Sequence, residues 1–266
     1  MLNYRVLEKK DDKETVREDF LSFFNSVYQK KPDSSFWYHQ VSGSPYSDSP
    51  LFLALDGENI IGSALMILQK CNIEDKRHDC YLFTTSAILK EYRANGVYAK
   101  LLNLQKEYAR KKDVDFIFSF PNLAAYPVLK FFGGFKDLQI DNLVKTTLND
   151  LNLECVENSL IIDSCMFEWR FEHKDYKFYN KNGVVIVYKK YDNIHDILGM
   201  YKQEEFQFLY ANSMLEDSEN ITTLNSCLKS GESAKAGRRI NCVYYPINKD
   251  INYSKIKINL LMSDVF

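Results

Sequence analysis

The stretch SAILKEYRANGVYAKLL, residues 86–102, decides the fold because it joins an apolar strand to an amphipathic helix through one short turn. The apolar pattern predicts the strand over 81–89 and the helix over 96–111. The first turn of a helix has backbone N–H groups without partners and lies at the positive end of the helix dipole. Gly96 lets the backbone come close to a ligand, and Arg93 adds a cation. Either an ordinary turn or a receptor for phosphate or pyrophosphate fits this pattern.

Apolar patterns on both sides of this turn predict a mixed α/β unit with a strand–helix–strand crossover at its centre. The predicted elements are a strand at 3–8, a helix at 13–29, a hairpin at 51–55 and 60–68, the strand and helix above, a strand at 114–120, a helix at 123–132 and a strand at 138–148.

The rest of the chain has less regular patterns. We expect a hairpin around Asn182-Gly183, a helix over 193–210 and strands over 241–245 and 255–261. The two tryptophans, Trp37 and Trp169, stand in aromatic segments that each precede a predicted hairpin. This echo favours a second, altered copy of the first unit.

Length and charge limit the classes of protein that fit. A chain of 266 residues exceeds one ordinary domain of ~100–150 residues, so we expect domains at 1–150 and 151–266. Lys and Arg number 34 against 36 Asp and Glu, a net charge of −2 that argues against nucleic-acid binding. The charged start of the chain and the lack of a long apolar run predict a cytoplasmic protein without membrane insertion.

The cysteines and histidines indicate no metal site. The six cysteines include no C-x-x-C pair, and the four histidines form no H-E-x-x-H motif. We therefore expect reduced, mostly buried thiols and no metal cofactor.

The run from Arg93 to Val97 resembles the R/Q-x-x-G-x-G/A signature of the GNAT N-acetyltransferases, which holds the pyrophosphate of acetyl-CoA. The segment 116–122 and Gly134-Phe135 are similar to the next strand of that family and to its terminating motif. The resemblance covers about 50–148 and implies a GNAT fold, with a central mixed, splayed sheet flanked by helices. Trp37 and the closing segment 263–266 look like two-lobed GNAT proteins found with surface-polysaccharide genes, which implies a second, degenerate GNAT-like lobe.

The resemblance also implies an acetyl-CoA site in the first lobe only. Backbone groups at the end of the strand would pair with the pantetheine arm, amides of the turn and helix would hold the pyrophosphate, and Asn122 would hold the cofactor or its own loop. The cofactor-binding residues implied in this way are Ala87, Ile88, Leu89, Arg93, Ala94, Asn95, Gly96, Val97, Tyr98, Ala99, Lys100 and Asn122.

Three positions depart from the family pattern. Tyr98 stands where the signature ends in Gly or Ala, and Lys90 replaces the Pro that usually precedes the motif. Leu129 occupies the position of the family's general-acid tyrosine, so we take Tyr126 as its nearest replacement.

The remaining chemistry is assigned as hypotheses. The backbone N–H of Leu89 is a candidate oxyanion donor. Glu91, or the C-terminal carboxylate of Phe266, is a candidate base. Trp37 and His39 lie where relatives shape the acceptor pocket, although both are also ordinary packing residues.

These inferences predict an acetyl-CoA-dependent N-acetyltransferase acting on a small amine, for which an amino sugar of a surface polysaccharide is one candidate. Two alternatives stay open. A Fem-type aminoacyl or peptidyl transferase is disfavoured by the balanced charge and the intact Arg93–Val97 motif. A catalytically degenerate GNAT-fold ligand-binding protein is kept open by Tyr98 and by the missing carboxylate on the strand. The chain is expected to be a monomer or a homodimer.

Overall fold

A computed structural model of the chain describes residues 2–29, 36–46, 49–154, 156, 159–171, 175–191, 194–206, 213–216, 220–229 and 235–263. The chain divides into two compact units that are discontinuous in sequence. Unit 1 comprises Met1–Lys70, His78–Lys136 and Val243–Ile251, and unit 2 comprises Cys71–Arg77, Asp137–Cys242 and Asn252–Phe266.

Helices and strands alternate through the first half of the chain. The elements are β1 Leu2–Leu7, α1 Lys10–Glu14, α2 Arg17–Tyr28, a π turn at Trp37–Val41, β2 Leu51–Asp56, β3 Asn59–Ile73, β4 Lys76–Ile88, a 3₁₀ turn at Lys90–Tyr92, α3 Val97–Lys111, β5 Phe116–Ser119, and α4 Ala125–Pro127 continued by a π turn at Val128–Phe132.

The sheet of unit 1 has the order β1-β2-β3-β4-β5, followed by the end of a strand from late in the chain, β11 Lys235–Pro246. β1, β2 and β3 pair antiparallel, β4 and β5 pair parallel, and residues 243–246 of β11 pair antiparallel with β5. Helix α3 buries Val97, Leu101 and Ala109 against this sheet, because its apolar side chains recur at helical spacing. The mixed α/β fold class predicted from the sequence is confirmed.

The second half of the chain has more strands than the sequence patterns predict. Its elements are β6 Lys136–Thr147, a 3₁₀ turn at Leu148–Asp150, α5 Ser164–Phe171, β7 Tyr176–Lys181, β8 Val184–Tyr191, β9 Ile194–Lys202, β10 Asn220–Leu224, a 3₁₀ turn at Asn225–Cys227, β11, and 3₁₀ turns at Tyr253–Lys255 and Leu260–Met262.

Unit 2 repeats the strand topology of unit 1. β7, β8 and β9 form an antiparallel meander, β10 pairs parallel with β9, and β6 pairs antiparallel with β10. The order β7-β8-β9-β10-β6 therefore matches β2-β3-β4-β5-β11 in pairing directions. The last strand of each sheet comes from a distant part of the chain. β6 completes the sheet of unit 2 but follows the helices of unit 1 in sequence, and the end of β11 completes the sheet of unit 1 but follows the strands of unit 2.

This exchange explains why the two compact units do not coincide with the predicted boundary at residue 150. Residues 137–147 pair in unit 2, and residues 243–246 pair in unit 1. The functional division into an acetyl-CoA-binding domain and a degenerate copy stays a prediction.

Three predicted elements differ from the structure. The helix expected over 193–210 is wrong for its described part, where β9 pairs along its length with β8. The strand expected over 255–261 is also wrong. The Lys257 N–H donates to the Ser159 hydroxyl, the Lys257 carbonyl accepts from the Ser159 N–H, and Met262 closes a 3₁₀ turn on Asn259. The helix expected over 13–29 is broken between Glu14 and Arg17.

No helix in the described ranges combines the length and the apolar character needed to cross a lipid bilayer. Of the five described cysteines, Cys71, Cys80 and Cys242 are buried, and none is in a disulfide.

The β7–β8 turn gives a test of the second unit. Asn182 has φ +55° and Gly183 has φ +79°, which are the left-handed values required by a type I′ hairpin turn. Asn182→Ala should lower the free energy of unfolding by about 1 kcal/mol, because alanine is disfavoured in this region. Thermal denaturation would measure the loss. Asn182→Gly is the matched control and should retain stability, and equal melting temperatures for both variants would contradict the assignment.

Candidate functional site

The site is built around the point where β4 and β5 part. Their parallel pairing runs from Cys80 and Phe116 to Phe83 and Ser119, where β5 ends while β4 continues to Ile88. The Ser119 hydroxyl donates to the carbonyl of Phe83 at 3.1 Å and closes the last pair. Beyond Phe83, the edge of β4 that faced β5 is no longer paired with that strand. We call this point the unit 1 fork.

Backbone strain lies two residues beyond the unit 1 fork. Thr85 has φ +51°, a left-handed value that is a genuine outlier for a β-branched residue. Such strain persists only where the surrounding structure fixes it, and it concentrates at functional sites. Sequence patterns gave no signal for it, because threonine is an ordinary strand residue.

The turn after β4 is held by its own hydrogen bonds and by one tether. The Tyr92 N–H donates to Leu89 O at 3.0 Å, and the Asn95 N–H donates to Tyr92 O at 3.2 Å. The Tyr92 hydroxyl donates to Asp56 Oδ2 at 2.9 Å, and this bond raises the pKa of Tyr92. The turn is thereby fixed to the end of β2.

Helix α3 begins at Val97 with an uncapped N-terminus. Gly96 precedes it with φ +70°, and no side chain bonds to the cap. A Cβ on Gly96 would meet no atom within 4 Å, so the helix start faces open space. Glycine is needed here for its left-handed backbone conformation. The amides of the first helical turn are therefore placed to meet an anion.

Cations surround this helix start. Lys90, Arg93 and Lys100 are all exposed, as is the single carboxylate of the turn, Glu91. Arg93 Nε donates to the carbonyl of Ile88 at 3.2 Å, which braces the turn against the end of β4. The Arg93 guanidinium group therefore makes a structural hydrogen bond and also adds a positive charge to the turn.

Tyr98 points back toward β4, which explains how the helix accommodates it in place of glycine. Its side chain packs against the unit 1 core and makes a hydrogen bond with Ser86, whose carbonyl accepts from Tyr28 at 2.8 Å. Burial raises the pKa of Tyr98 to about 12, and the Ser86 bond opposes that rise. A neutral hydroxyl therefore lies just beyond the unit 1 fork. The sequence indicated Tyr98 as a cofactor-binding position and as a departure from the signature, with no role for its hydroxyl.

The segment after β5 holds the other predicted residues. Asn122 Oδ1 accepts from the N–H groups of Ala124 and Ala125, at 3.1 and 2.9 Å, so it caps the short helix α4. Tyr126 is half-buried and packs against the unit 1 core. Leu129 is buried, which fits its apolar side chain.

The Leu89 N–H donates to the carbonyl of Ile61 at 3.0 Å. It is therefore committed to β3, and the oxyanion-donor hypothesis for this group is not supported. Ala87 and Ile88, the other predicted pantetheine partners, have buried side chains. Their contact with a cofactor stays a prediction.

Comparison with known proteins agrees with this geometry. Residues 9–135 match the family model described as an acetyltransferase (GNAT) domain. Residues 9–135 are therefore similar to a GNAT acetyltransferase domain. No curated protein sequence matches the chain.

Solved structures with low sequence identity share the fold of this chain. A probable N-acyltransferase from Enterococcus faecalis V583 is 9% identical, with a TM-score of 0.66 over 93% of this chain and 73% of that one. A GCN5-related N-acetyltransferase from Kribbella flavida is 13% identical, with a TM-score of 0.64 over 93% and 72%. A putative acetyltransferase from Pyrococcus horikoshii is 13% identical, with a TM-score of 0.53 over 97% and 94%.

The two residues predicted to contact the acceptor are buried in unit 1. Trp37 is 0% exposed, stacks near Phe20 at 5.5 Å between ring centroids, and donates to Glu14 Oε1 at 2.8 Å. His39 is 6% exposed. Both act as packing residues in this structure, so their acceptor-binding role stays a prediction that their burial does not favour.

Lys13 is a buried residue of unit 1 that the sequence patterns did not indicate. Lys13 Nζ donates to the carbonyls of Val41 and Ser49 at 2.9 and 2.6 Å. It thereby ties together the two ends of the loop that follows the π turn. Its position in a charged run, with Asp11 and Asp12 before it, gave no sign of burial.

The base is not identified among the described residues. β4 has no carboxylate after Asp79, Glu91 is exposed on the turn, and Phe266 lies outside the described residues. Over the described ranges, no group of three or more His, Cys, Asp or Glu side chains could hold a metal ion.

Burial lowers the pKa of Lys13 from 10.5 to about 8, which predicts a pH dependence. Between about pH 8 and 10.5 the unfolded chain binds the proton that folded Lys13 has lost, so stability should rise with pH. Relative to Lys13→Met, the wild type should gain on the order of 2 kcal/mol between pH 7.5 and 10. Urea denaturation at both pH values measures this difference, and an unchanged difference would refute it.

Proposed function

We propose that the chain is an acetyl-CoA-dependent N-acetyltransferase with its cofactor site in unit 1. The observation that carries the proposal is the combination of the unit 1 fork at Phe83 and Ser119 with the uncapped start of helix α3 at Gly96. One feature offers an open strand edge to an extended amide chain, and the other offers amides to an anion. Acetyl-CoA contains both groups in one molecule.

The pyrophosphate is assigned to the start of α3. Its charge would be met by the helix dipole and by Lys90, Arg93 and Lys100. The bond from Arg93 to Ile88 O keeps this cation beside the turn in the free protein. The neighbouring Asp56 carboxylate is held in place by the hydrogen bond from Tyr92.

The pantetheine arm is assigned to the edge of β4 beyond the unit 1 fork. This places the thioester near Thr85, where the strand departs from extended geometry. Since the Leu89 N–H already donates to Ile61, the oxyanion donor is assigned to another group, for which a β4 amide nearer Thr85 is the candidate.

Acetyl transfer to an amine needs few groups from the protein. The neutral amine attacks the thioester carbon, the C–S bond breaks, and the CoA thiolate takes up a proton. Tyr126 is the proposed acid, and Tyr98 is a second hydroxyl whose raised pKa keeps it protonated. Glu91 and the terminal carboxylate of Phe266 remain the proposed bases.

The acceptor is proposed to be a small amine, with an amino sugar of a surface polysaccharide as the specific candidate. The repeated topology of unit 2 supports the further proposal of a tandem, two-lobed GNAT protein with a degenerate second lobe. A cytoplasmic location and a monomeric or homodimeric state belong to the same proposal.

An exposed position in the turn gives a charge test for cofactor binding. Ala94→Glu should lower acetyl-CoA affinity about tenfold, because a carboxylate beside the pyrophosphate repels it. The same change should retain or raise the melting temperature, since an acidic residue near a helix N-terminus is stabilising. Calorimetric titration measures the affinity. Ala94→Gln is the matched control and should bind normally, and an equal loss in both variants would count against the assignment.

The proposed acid can be tested with two tyrosine variants. Tyr126→Phe should lower kcat about 100-fold while leaving the acetyl-CoA dissociation constant unchanged, because only proton donation is lost. Release of CoA thiol in the presence of a panel of amines, amino sugars included, measures turnover. Tyr98→Phe is the comparison variant, and a larger loss there would transfer the acid role to Tyr98.

A second candidate is a GNAT-fold protein that binds acetyl-CoA or a related ligand without turnover. It is favoured by the commitment of the Leu89 amide to Ile61 and by the lack of a carboxylate on β4 after Asp79. Acetyl-CoA binding without thiol release for any amine would support this candidate over the first.

A further inference from the structure

Unit 2 contains a cavity of about 420 Å³ that the proposed acetyl transfer does not use. Its walls include Ile197, Gly199, Thr223, Leu224, Cys227 and Asn259. The cavity is open to solvent on one side, because Ser254 and Lys257 in its walls are exposed. It falls within the volume range of small-molecule sites.

The cavity lies at a second fork in the strands. β9 and β10 pair in parallel only at His195 with Ile221 and Asp196 with Thr222, and β9 then continues to Lys202. The cavity is lined by β9 from Ile197 to Met200 and by the end of β10. We call this the unit 2 fork, because β9 and β10 occupy the same topological positions as β4 and β5.

The walls offer apolar and polar surface in similar measure. Ile197 and Leu224 are buried side chains, and Thr223 is 1% exposed. Asn259 is fixed by two bonds, since its Nδ2 donates to the Tyr201 hydroxyl at 2.9 Å and its Oδ1 accepts from the Met262 N–H at 3.2 Å. Such walls suit a narrow chain with apolar parts and hydrogen-bonding groups at intervals.

The net charge after the strand differs in sign between the two units. β4 is followed by Lys90, Glu91 and Arg93, whereas β9 ends at the exposed Lys202 and is followed by the exposed carboxylates Glu204 and Glu205. The cavity walls themselves contain one residue of each charge, Glu154 and Lys257. The described part of the turn, up to Phe206, has no glycine and begins no helix. It therefore offers a phosphate group no helix start and a net negative charge.

We propose that the unit 2 fork binds an extended, amide-containing chain that is uncharged or cationic and has no phosphate. The ligand would lie along β9 beyond Asp196 and meet its backbone as an added strand does. Its polar groups would be oriented by Thr223 and Asn259. This inference is independent of acetyl transfer, because it concerns residues of unit 2 alone.

The test uses N-pentylpantothenamide, a neutral diamide without thiol or phosphate, on the full chain saturated with acetyl-CoA. Acetyl-CoA prevents the probe from being counted at the unit 1 fork, and its sulfur is a thioester that does not consume iodoacetamide. Cys227 lines the cavity and is half-buried, so its alkylation by iodoacetamide reports occupancy. Exposed Cys165 is the internal control. We expect at least fivefold slower alkylation of Cys227 with 5 mM probe and an unchanged rate at Cys165, both measured by mass spectrometry.

Two matched comparisons sharpen the outcome. The 4′-phosphorylated probe should protect Cys227 at least tenfold more weakly, because Glu204 and Glu205 repel it. Ser254 lines the cavity with an exposed side chain, so Ser254→Trp should abolish protection while Ser254→Ala retains it. No protection in the wild type, or equal protection by both probes, overturns the proposal without needing either variant. Acetyl-CoA affinity, measured by calorimetry on separate cofactor-free samples of the same proteins, reports unit 1 separately.

Discussion

The end of the parallel pairing between β4 and β5 is the constraint on which unit 1 depends. Ser119 is the last residue of β5, and its hydroxyl donates to the carbonyl of Phe83 at the last paired position. β4 continues without β5 to Ile88, where Arg93 donates a hydrogen bond to its last carbonyl. The strained Thr85, the turn and the uncapped helix start all lie within the stretch of chain that follows this divergence.

The same constraint recurs in unit 2, where β9 leaves β10 after only two paired positions. Exchange of β6 and β11 gives each unit an antiparallel strand beside its short parallel strand. β5 is therefore paired on both edges along its whole length, and β10 is paired on both edges at Ile221 and Thr222, which limits the strand edge exposed to aggregation. The exchange also means that neither unit's sheet is completed by a continuous stretch of chain.

Local signals predicted the first unit well, because its elements agree with their own sequence patterns. Gly96 and the apolar spacing of α3 are local features, so the strand, turn and helix could be predicted from the sequence. β9 was predicted as a helix because Ile194, Ile197, Leu198 and Tyr201 fit helical spacing, while pairing with β8 decided the outcome. The burial of Lys13 and the bond from Leu89 to Ile61 depend on contacts distant in sequence, which no local pattern reports.

Comparing the two forks separates what the fold supplies from what the sequence adds. The topology supplies an open strand edge in both units, and this edge selects extended chains with amide groups. The residues after the strand then select charge, since Lys90 and Arg93 attract an anion while Glu204 and Glu205 repel one. Cofactor choice is thereby set by a turn of a few residues that contributes little to the core. A repeat can thus lose its phosphate site without losing its fold, because the fork depends on strand pairing and the phosphate site depends on the turn.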